Sequence, residues 1–434
     1  MPVVKRTVRQ AAQTCHYLSQ NRTSMENELR KRPYSRILIL WITGICLAAY
    51  VPGHIAIPSV IALCLSGILL LSLSKLSRRK YLPYERRGDW GIIFSSLFLM
   101  LAFEYVYFRF RMPSFHHSSP LLSLCREWQL ELLSTFDSLP LSDSEKSILG
   151  AICYGYRQNL GTEMRHQFSM AGAAHILAVS GFHVGVVYSL LRTIGKQPPF
   201  SLLPAPVIQI ASLAFIWLFA AITGLAPSAI RATSMLSLVI IARIFDRRKE
   251  RFNIVWASAF WMLVYNPSYL FDLGFELSYA AVLSILFFYP RINKWLHLEK
   301  LFNPVVRTAW QWFAIALAAQ IGTFPLCFYY FGEISSASLL SALPITLFAT
   351  LLIPLSLLWS VLSLWGCGFP LLSSCITGLT HGFLETIERM ANLPPLRLHC
   401  SYSIWLSPLF YLVIIGLCVY IKKQENRCQG GGIF

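Results

Sequence analysis

The sequence predicts an all-α protein, a polytopic bundle of about 10–12 transmembrane helices with one broken helix and a small extracytoplasmic helical segment. Three observations carry this. Only 13% of the 434 residues are charged and 55% are hydrophobic, with mean hydropathy +0.55, whereas a soluble domain carries about a quarter charged residues. Apolar runs near the ~20 residues needed to cross hydrocarbon recur along the whole length. The basic residues lie mostly in short segments beside those runs, so much of the formal net charge of +17 reads as membrane topology and not as a nucleic-acid-binding surface.

Residues 1–35 are polar and basic, without the apolar core and cleavage site of a secretory signal, and are expected to remain a cytoplasmic arm. An N-terminal transmembrane part, 36–108, follows, with spans at roughly 36–52, 54–74 and 90–108. Residues 109–172 form the one substantial extramembrane segment, and there the charges balance. Within it 143–156 and 161–172 read as two short helices, the first opening with Ser142 as a cap and Glu145 three residues on. Cys125 and Cys153 share this segment and could pair if it faces an oxidising compartment. The eleven cysteines show neither a metal-ligand spacing nor an even disulfide framework.

The larger transmembrane part, 173–421, carries spans at roughly 173–194, 203–223, 228–245, 252–266, 274–290, 309–330, one or two passes within 335–366, and 404–421. Segments 75–89, 246–251 and 291–308 are basic, through residues such as Arg78, Arg247 and Lys294. The positive-inside rule places them on the cytoplasmic side with the 422–434 tail. That tail requires two passes or a re-entrant hairpin within 335–366, with breaks at Pro344 and Pro354. Segment 369–392 reads as an amphipathic helix with Thr380, His381, Glu385 and Glu388 on its polar face, lying along the membrane surface or lining a cavity.

Three clusters put costly polar groups at membrane depth, where an ionisable side chain marks a functional hypothesis. The first runs from Ala174 to Gly185 and holds His175, Ser180, Gly181 and His183. Gly181 lets a helix open there, leaving N–H groups toward a polar cavity suited to a phosphate or another anion. The alternative is two histidines satisfied by neighbouring helices around a glycine contact. The second cluster is a tight turn, Thr223 to Ser228, followed by Arg231 one turn inside the next helix. Arg231 follows an outer loop, so it either snorkels to the headgroups or meets a carboxylate or a passing phosphate. The third holds Asp272, Glu276 and Ser278. Asp272 and Glu276 fall four apart on one expected helical face, with Glu276 as counter-charge for Arg231. Gln320, Thr323 and Pro325 add a polar, kinked site on the next span, where a packing hydrogen bond reads equally well.

At these clusters the chain resembles the ComEC-type competence proteins in their membrane-embedded competence domain. The core of the resemblance is His175–Gly185, read as H-x-L-A-V-S-G-x-H-V-G. It is joined in order by Thr223-Gly224 through Arg231-Ala232 and by Gly274-Phe275-Glu276-Leu277-Ser278-Tyr279. Leu149-Gly150 to Gly172 upstream and Ser341-Ala342-Leu343-Pro344 downstream extend it over roughly residues 145–420. The resemblance implies a channel component of the bacterial plasma membrane, N-terminus cytoplasmic, that passes single-stranded DNA into the cytoplasm during natural transformation. It implies transport and not catalysis, no cofactor, and a separate DNA receptor and cytoplasmic motor as partners besides the membrane lipids, with a homo-oligomer left open. Channel-lining or DNA-contacting residues would be His175, Ser180, Gly181, His183, Thr223, Ser228, Arg231, Asp272, Glu276 and Ser278.

Full-length members of that family also carry OB-like and metallo-β-lactamase-like domains. Here residues 109–150 are too few for a five-stranded OB barrel, and no His-x-His-x-Asp-His run occurs, so the expectation covers the bundle alone. Two other classes stand beside it. One is a transporter of a small anionic solute, clamped by the broken helix and Arg231. The other is a membrane-embedded metal-dependent hydrolase using His175, His183, Asp272 and Glu276, although a histidine spacing of eight fits no one-helix metal motif.

Overall fold

The computed structural model describes residues 33–50, 67–68, 71, 87–111, 120–245, 250–295, 304–331, 337–392 and 406–430. Residues 1–32 of the expected arm 1–35, nearly all of the span 54–74, and residues 75–86, 246–249 and 296–303 of the basic segments 75–89, 246–251 and 291–308 lie outside the described residues. Among the described residues every regular element is a helix: fourteen α-helices and three short 3-10 turns. Six helices are long and apolar enough to cross a membrane, and 409–421 is a shorter apolar stretch. The chain is a multi-pass membrane protein, and the helix is the form in which a spanning segment satisfies its own backbone polar groups in hydrocarbon.

The helices fall into two compact units. The first contains α1 (Pro33–Tyr50), α2 (Arg87–Arg111) and α9 (Arg251–Tyr265), with a 3-10 turn at Pro267–Phe271. Gly44 of α1 lies so close to α2 that a Cβ there would meet the Ala102 Cβ at 2.7 Å. Trp41 closes the unit, with its ring centroid 5.6 Å from Phe98, 5.7 Å from Tyr105 and 5.5 Å from Phe260. The Tyr105 hydroxyl donates to the Val264 carbonyl at 2.6 Å, so a lipid-facing side chain keeps its polar tip paired.

The second unit holds α3 (Pro120–Ser134), α4 (Asp143–Tyr154), α5 (Thr162–Met170), α6 (Gly181–Ile194), α7 (Ala205–Ile222), α8 (Pro227–Ile244), α10 (Leu273–Trp295), α11 (Pro304–Phe331), α12 (Ala337–Leu364), α13 (Pro370–Ala391) and α14 (Leu406–Gly430). Helices α10 and α11 pack tightly around Gly322, where an added Cβ would lie 2.5 Å from the Ser284 Cβ and 2.7 Å from the Ala280 carbonyl. The Ser284 hydroxyl donates to the Ala318 carbonyl across the same crossing at 2.5 Å. This is the small-residue contact that lets membrane helices approach closely.

Helices α3 to α5 are no free loop. Ile148, Ala151 and Ile152 of α4 and Phe168 of α5 join Ile345, Ala349 and Ile353 of α12 and Phe383 of α13 in one core. Leu149, Cys153 and Tyr154 join a second core with Leu352, Trp359 and Ile376. A polar clamp reinforces it: the Thr135 hydroxyl lies 3.0 Å from the Ser360 hydroxyl, and the Trp359 indole donates to the Thr135 carbonyl at 3.1 Å. Helix α4 starts on the anticipated capping box, with the Ser142 N–H donating to Glu145 Oε2 at 2.8 Å and the Glu145 N–H donating to the Ser142 hydroxyl at 3.4 Å. It stops at Gly155, whose φ of 72° is left-handed. Burial raises the Glu145 pKa, but the Ser142 hydrogen bonds and the His381 ring, 2.8 Å away on α13, outweigh it and hold the carboxyl below its ordinary value.

Three expectations are corrected here. The segment 335–366 is neither two passes nor a hairpin, because α12 runs unbroken over 28 residues with Pro344 and Pro354 inside it. Neighbouring helices on both flanks hold it straight enough to continue, as membrane helices permit. On α13, Thr380 is on the buried face with Ile376, Phe383 and Ile387, its hydroxyl donating to the Ile376 carbonyl at 2.8 Å. Of the four residues expected on its polar face, His381, Glu385 and Glu388 are the exposed ones. Cys125 and Cys153 are both free and buried, and Cys153 lies in the core that α4 shares with α12 and α13. Burial pushes the Cys153 thiol up to about 12.

Candidate functional site

The histidine motif begins as an irregular stretch. Residues 171–180 run through turns, and regular helix starts only at Gly181. The sequence fixes that start through a reciprocal cap. The Ser180 hydroxyl accepts from the Phe182 N–H at 3.3 Å, and the Ser180 N–H donates to His183 Nδ1 at 3.1 Å. A histidine therefore takes the place that Glu or Gln holds in the usual capping box. The expected span 173–194 thus keeps its break at Ser180-Gly181, but its first half is unwound and not helical. His183 is fully buried. Because Nδ1 accepts from a backbone N–H, the neutral ring carries its proton on Nε2, which has no hydrogen-bond partner among the described residues.

The turn after α7 locks onto this stretch. The Thr223 hydroxyl donates back to the Ala220 carbonyl at 3.0 Å, and Gly224 and Leu225 take φ of 81° and 50°. Pro227 then opens α8. The Ser228 hydroxyl donates to the Val179 carbonyl at 2.5 Å, tying the start of α8 to the unwound segment. Gly181 faces Ala232, with an added Cβ 3.4 Å from the Ala232 Cβ. Arg231, one residue before, is only 4% exposed. His175, Ser180, Gly181, His183, Thr223, Ser228 and Arg231 are thereby gathered around one junction of α6, α7 and α8.

A cavity of ≈ 890 Å³ opens beside that junction, walled by α6, α10, α11 and α12, with His175 and Ser180 among its lining residues. Its other polar side chains are Ser189, Thr193, Thr346 and Thr350, and its aromatic wall is Phe182, Trp312 and Phe313. His183, Arg231, Glu276 and Ser278 are not among the lining residues.

The third cluster divides. Helix α10 begins at Leu273, and Asp272 precedes it with extended ψ of 121° at an exposed position. Asp272 therefore does not share a helical face with Glu276, which corrects the expected pairing of carboxylates. Glu276 sits in the first turn of α10 and accepts from the Tyr330 hydroxyl of α11 at 3.2 Å. Ser278 is half-buried on α10, between the buried rings of Phe275 and Tyr279 in sequence. The Thr323 hydroxyl donates to its own helix at Ala319, at 3.1 Å.

The cavity walls escaped a reading that sought ionisable groups. The available signal was periodic: Phe182, Val186, Ser189 and Thr193 on α6, and Thr346, Thr350 and Pro354 on α12, recur at three- and four-residue spacing. Stripes of small and hydroxyl residues at that spacing in apolar helices mark a face that meets something other than bulk lipid.

The family described as Competence protein matches residues 152–424, which hold the junction and the cavity. The chain is similar to ComE operon protein 3 of Bacillus subtilis, with 28% identity over 207 residues, 48% of this chain and 25% of that protein. It is similar to Recombination protein 2 of Haemophilus influenzae, with 23% identity over 223 residues, 49% of this chain and 28% of that protein. An uncharacterized protein of Aquifex aeolicus is 32% identical over 131 residues, 30% of either chain. The matched stretches thus span less than a third of each relative's own length. No solved structure matches.

Proposed function

Since the chain belongs to the Competence protein family, we propose that it is a plasma-membrane channel component for the uptake of single-stranded DNA. Its part is transport and not catalysis. The N-terminus and the basic loops face the cytoplasm, and a separate receptor and a cytoplasmic motor deliver and pull the strand. The observation that carries this reading is the unwound 171–180 stretch meeting a cavity between α6, α10, α11 and α12 inside the family-matched residues. A conduit for a strand needs a space between helices, irregular backbone lining it, and aromatic faces on which bases stack. His175, Ser180 and the Phe182, Trp312 and Phe313 rings supply these at one place.

A carrier of a small solute is the second reading, favoured by a pocket walled mainly by apolar side chains instead of an open cationic pore. Deleting the gene in a naturally competent host and following labelled DNA separates the two. The conduit requires that DNA stop reaching the cytoplasm while binding at the cell surface persists. Arg231→Ala is expected to abolish uptake with membrane insertion intact, and a normal transformation frequency in that variant removes Arg231 from the mechanism.

A further inference from the structure

We infer that the cavity between α6, α10, α11 and α12 binds the acyl chain of a membrane lipid, which seals the bundle while no strand passes. The plugging role rests on the function proposed above; the lipid site itself does not.

The chemistry of the wall disfavours a resting ion or a cluster of water. Of the described residues that line the cavity, His175 alone is ionisable. A resting metal ion would therefore find no anionic partner in this low-dielectric space, and a resting phosphate no permanent cation. Water fares little better. A space of ≈ 890 Å³ holds roughly 30 molecules at ~30 Å³ each, and each needs two to four polar partners. Besides His175 and Ser180 the wall offers four hydroxyls. Thr193 donates its proton to the Ser189 carbonyl at 2.9 Å and Thr350 to the Thr346 carbonyl at 2.6 Å, so both are turned to their own helices. An uncharged, apolar and flexible occupant satisfies this wall.

The surrounding surface supplies the route. Ile315 lines the cavity and is also 38% exposed on α11. On α12, Leu347 and Leu351 directly follow the lining residues Thr346 and Thr350 and are each 45% exposed. Through Ile315 the apolar interior reaches the apolar outer face of α11, a helix long and apolar enough to cross the bilayer, and the material that meets that face is lipid tail. A tail entering there would fill the space beside the unwound stretch, and an incoming strand would have to displace it.

The test uses the full chain in vesicles of phosphatidylethanolamine and phosphatidylglycerol doped with a phospholipid carrying a diazirine in mid-chain. After illumination, adducts are mapped by mass spectrometry. Val186 and Leu190 on the inner wall of α6 should be labelled together with the exposed Leu412 and Val413 of α14. Ala316→Trp, which fills the cavity, should cut α6 labelling at least tenfold and leave α14 labelling unchanged; Ala319→Leu serves the same purpose if the tryptophan variant does not fold. Absence of α6 adducts in the wild type, or equal labelling in the filled variant, overturns the proposal. Labelling of α6 by an oligonucleotide with photoreactive bases but not by the lipid also overturns it, while leaving DNA uptake standing. Lipid adducts on α6 in a chain whose deletion spares DNA uptake keep the lipid site and end the conduit reading.

Discussion

Replacing Ser180 by alanine isolates what holds the irregular backbone against α6. The wild-type hydroxyl accepts from the Phe182 N–H at 3.3 Å and contacts His183 Nδ1 at 3.0 Å. The first is an N-cap, worth about 1 kcal/mol against alanine. The second is a part-buried hydrogen bond, worth about another 1 kcal/mol. The sum of about 2 kcal/mol corresponds to a roughly 30-fold shift in the equilibrium for opening the first turn of α6. Hydrogen exchange at residues 181–184 in detergent-solubilised protein reads it directly, as protection lost in Ser180→Ala and largely retained in Ser180→Thr, which keeps a capping oxygen. Equal protection in all three proteins would refute the idea that this reciprocal cap sets the boundary of α6.

Gly322→Val should destabilise the protein by about 1–3 kcal/mol, read as a lowered unfolding midpoint, because a Cβ there meets Ser284 at 2.5 Å. Gly378→Ala on α13, with nothing within 4 Å, should be neutral or slightly stabilising. Cys153 should resist alkylation in the folded protein near neutral pH, since burial pushes its thiol up to about 12, while the exposed Cys367 is modified; mass spectrometry of the labelled chain distinguishes them. The Glu145 carboxyl is held below its ordinary value, so its contribution is complete above the unfolded pKa and is lost as pH falls through the folded one. Acidification from about pH 5 downward should therefore weaken the wild type more steeply than Glu145→Gln, and parallel melting curves for the two would contradict the assignment.

Long apolar runs made most spans legible in the sequence, because length and hydropathy are local properties. The break at Ser180-Gly181 was legible too, since capping chemistry lies within four residues. Other features depended on partners far along the chain. Pro344 and Pro354 read as helix breakers, yet flanking helices carry α12 through both. Thr380 read as part of a polar face, but its hydroxyl is satisfied by the Ile376 carbonyl and the methyl side suits the core. Asp272 fell outside α10 because a 3-10 turn at Pro267–Phe271 precedes it, and periodicity alone does not reveal where such a turn ends. The cavity was invisible because its walls come from four separated helices.

The contact of Thr135 with Ser360 spans 225 residues. At 5–20 residues per second, a ribosome needs on the order of 10–45 s to make the second partner after the first. Throughout that interval the apolar side of α4 has no α12 to cover it. The nascent protein must shelter this surface in some other way, against lipid or a holding factor, so biogenesis of the bundle is vulnerable from the synthesis of α4 until α12 emerges.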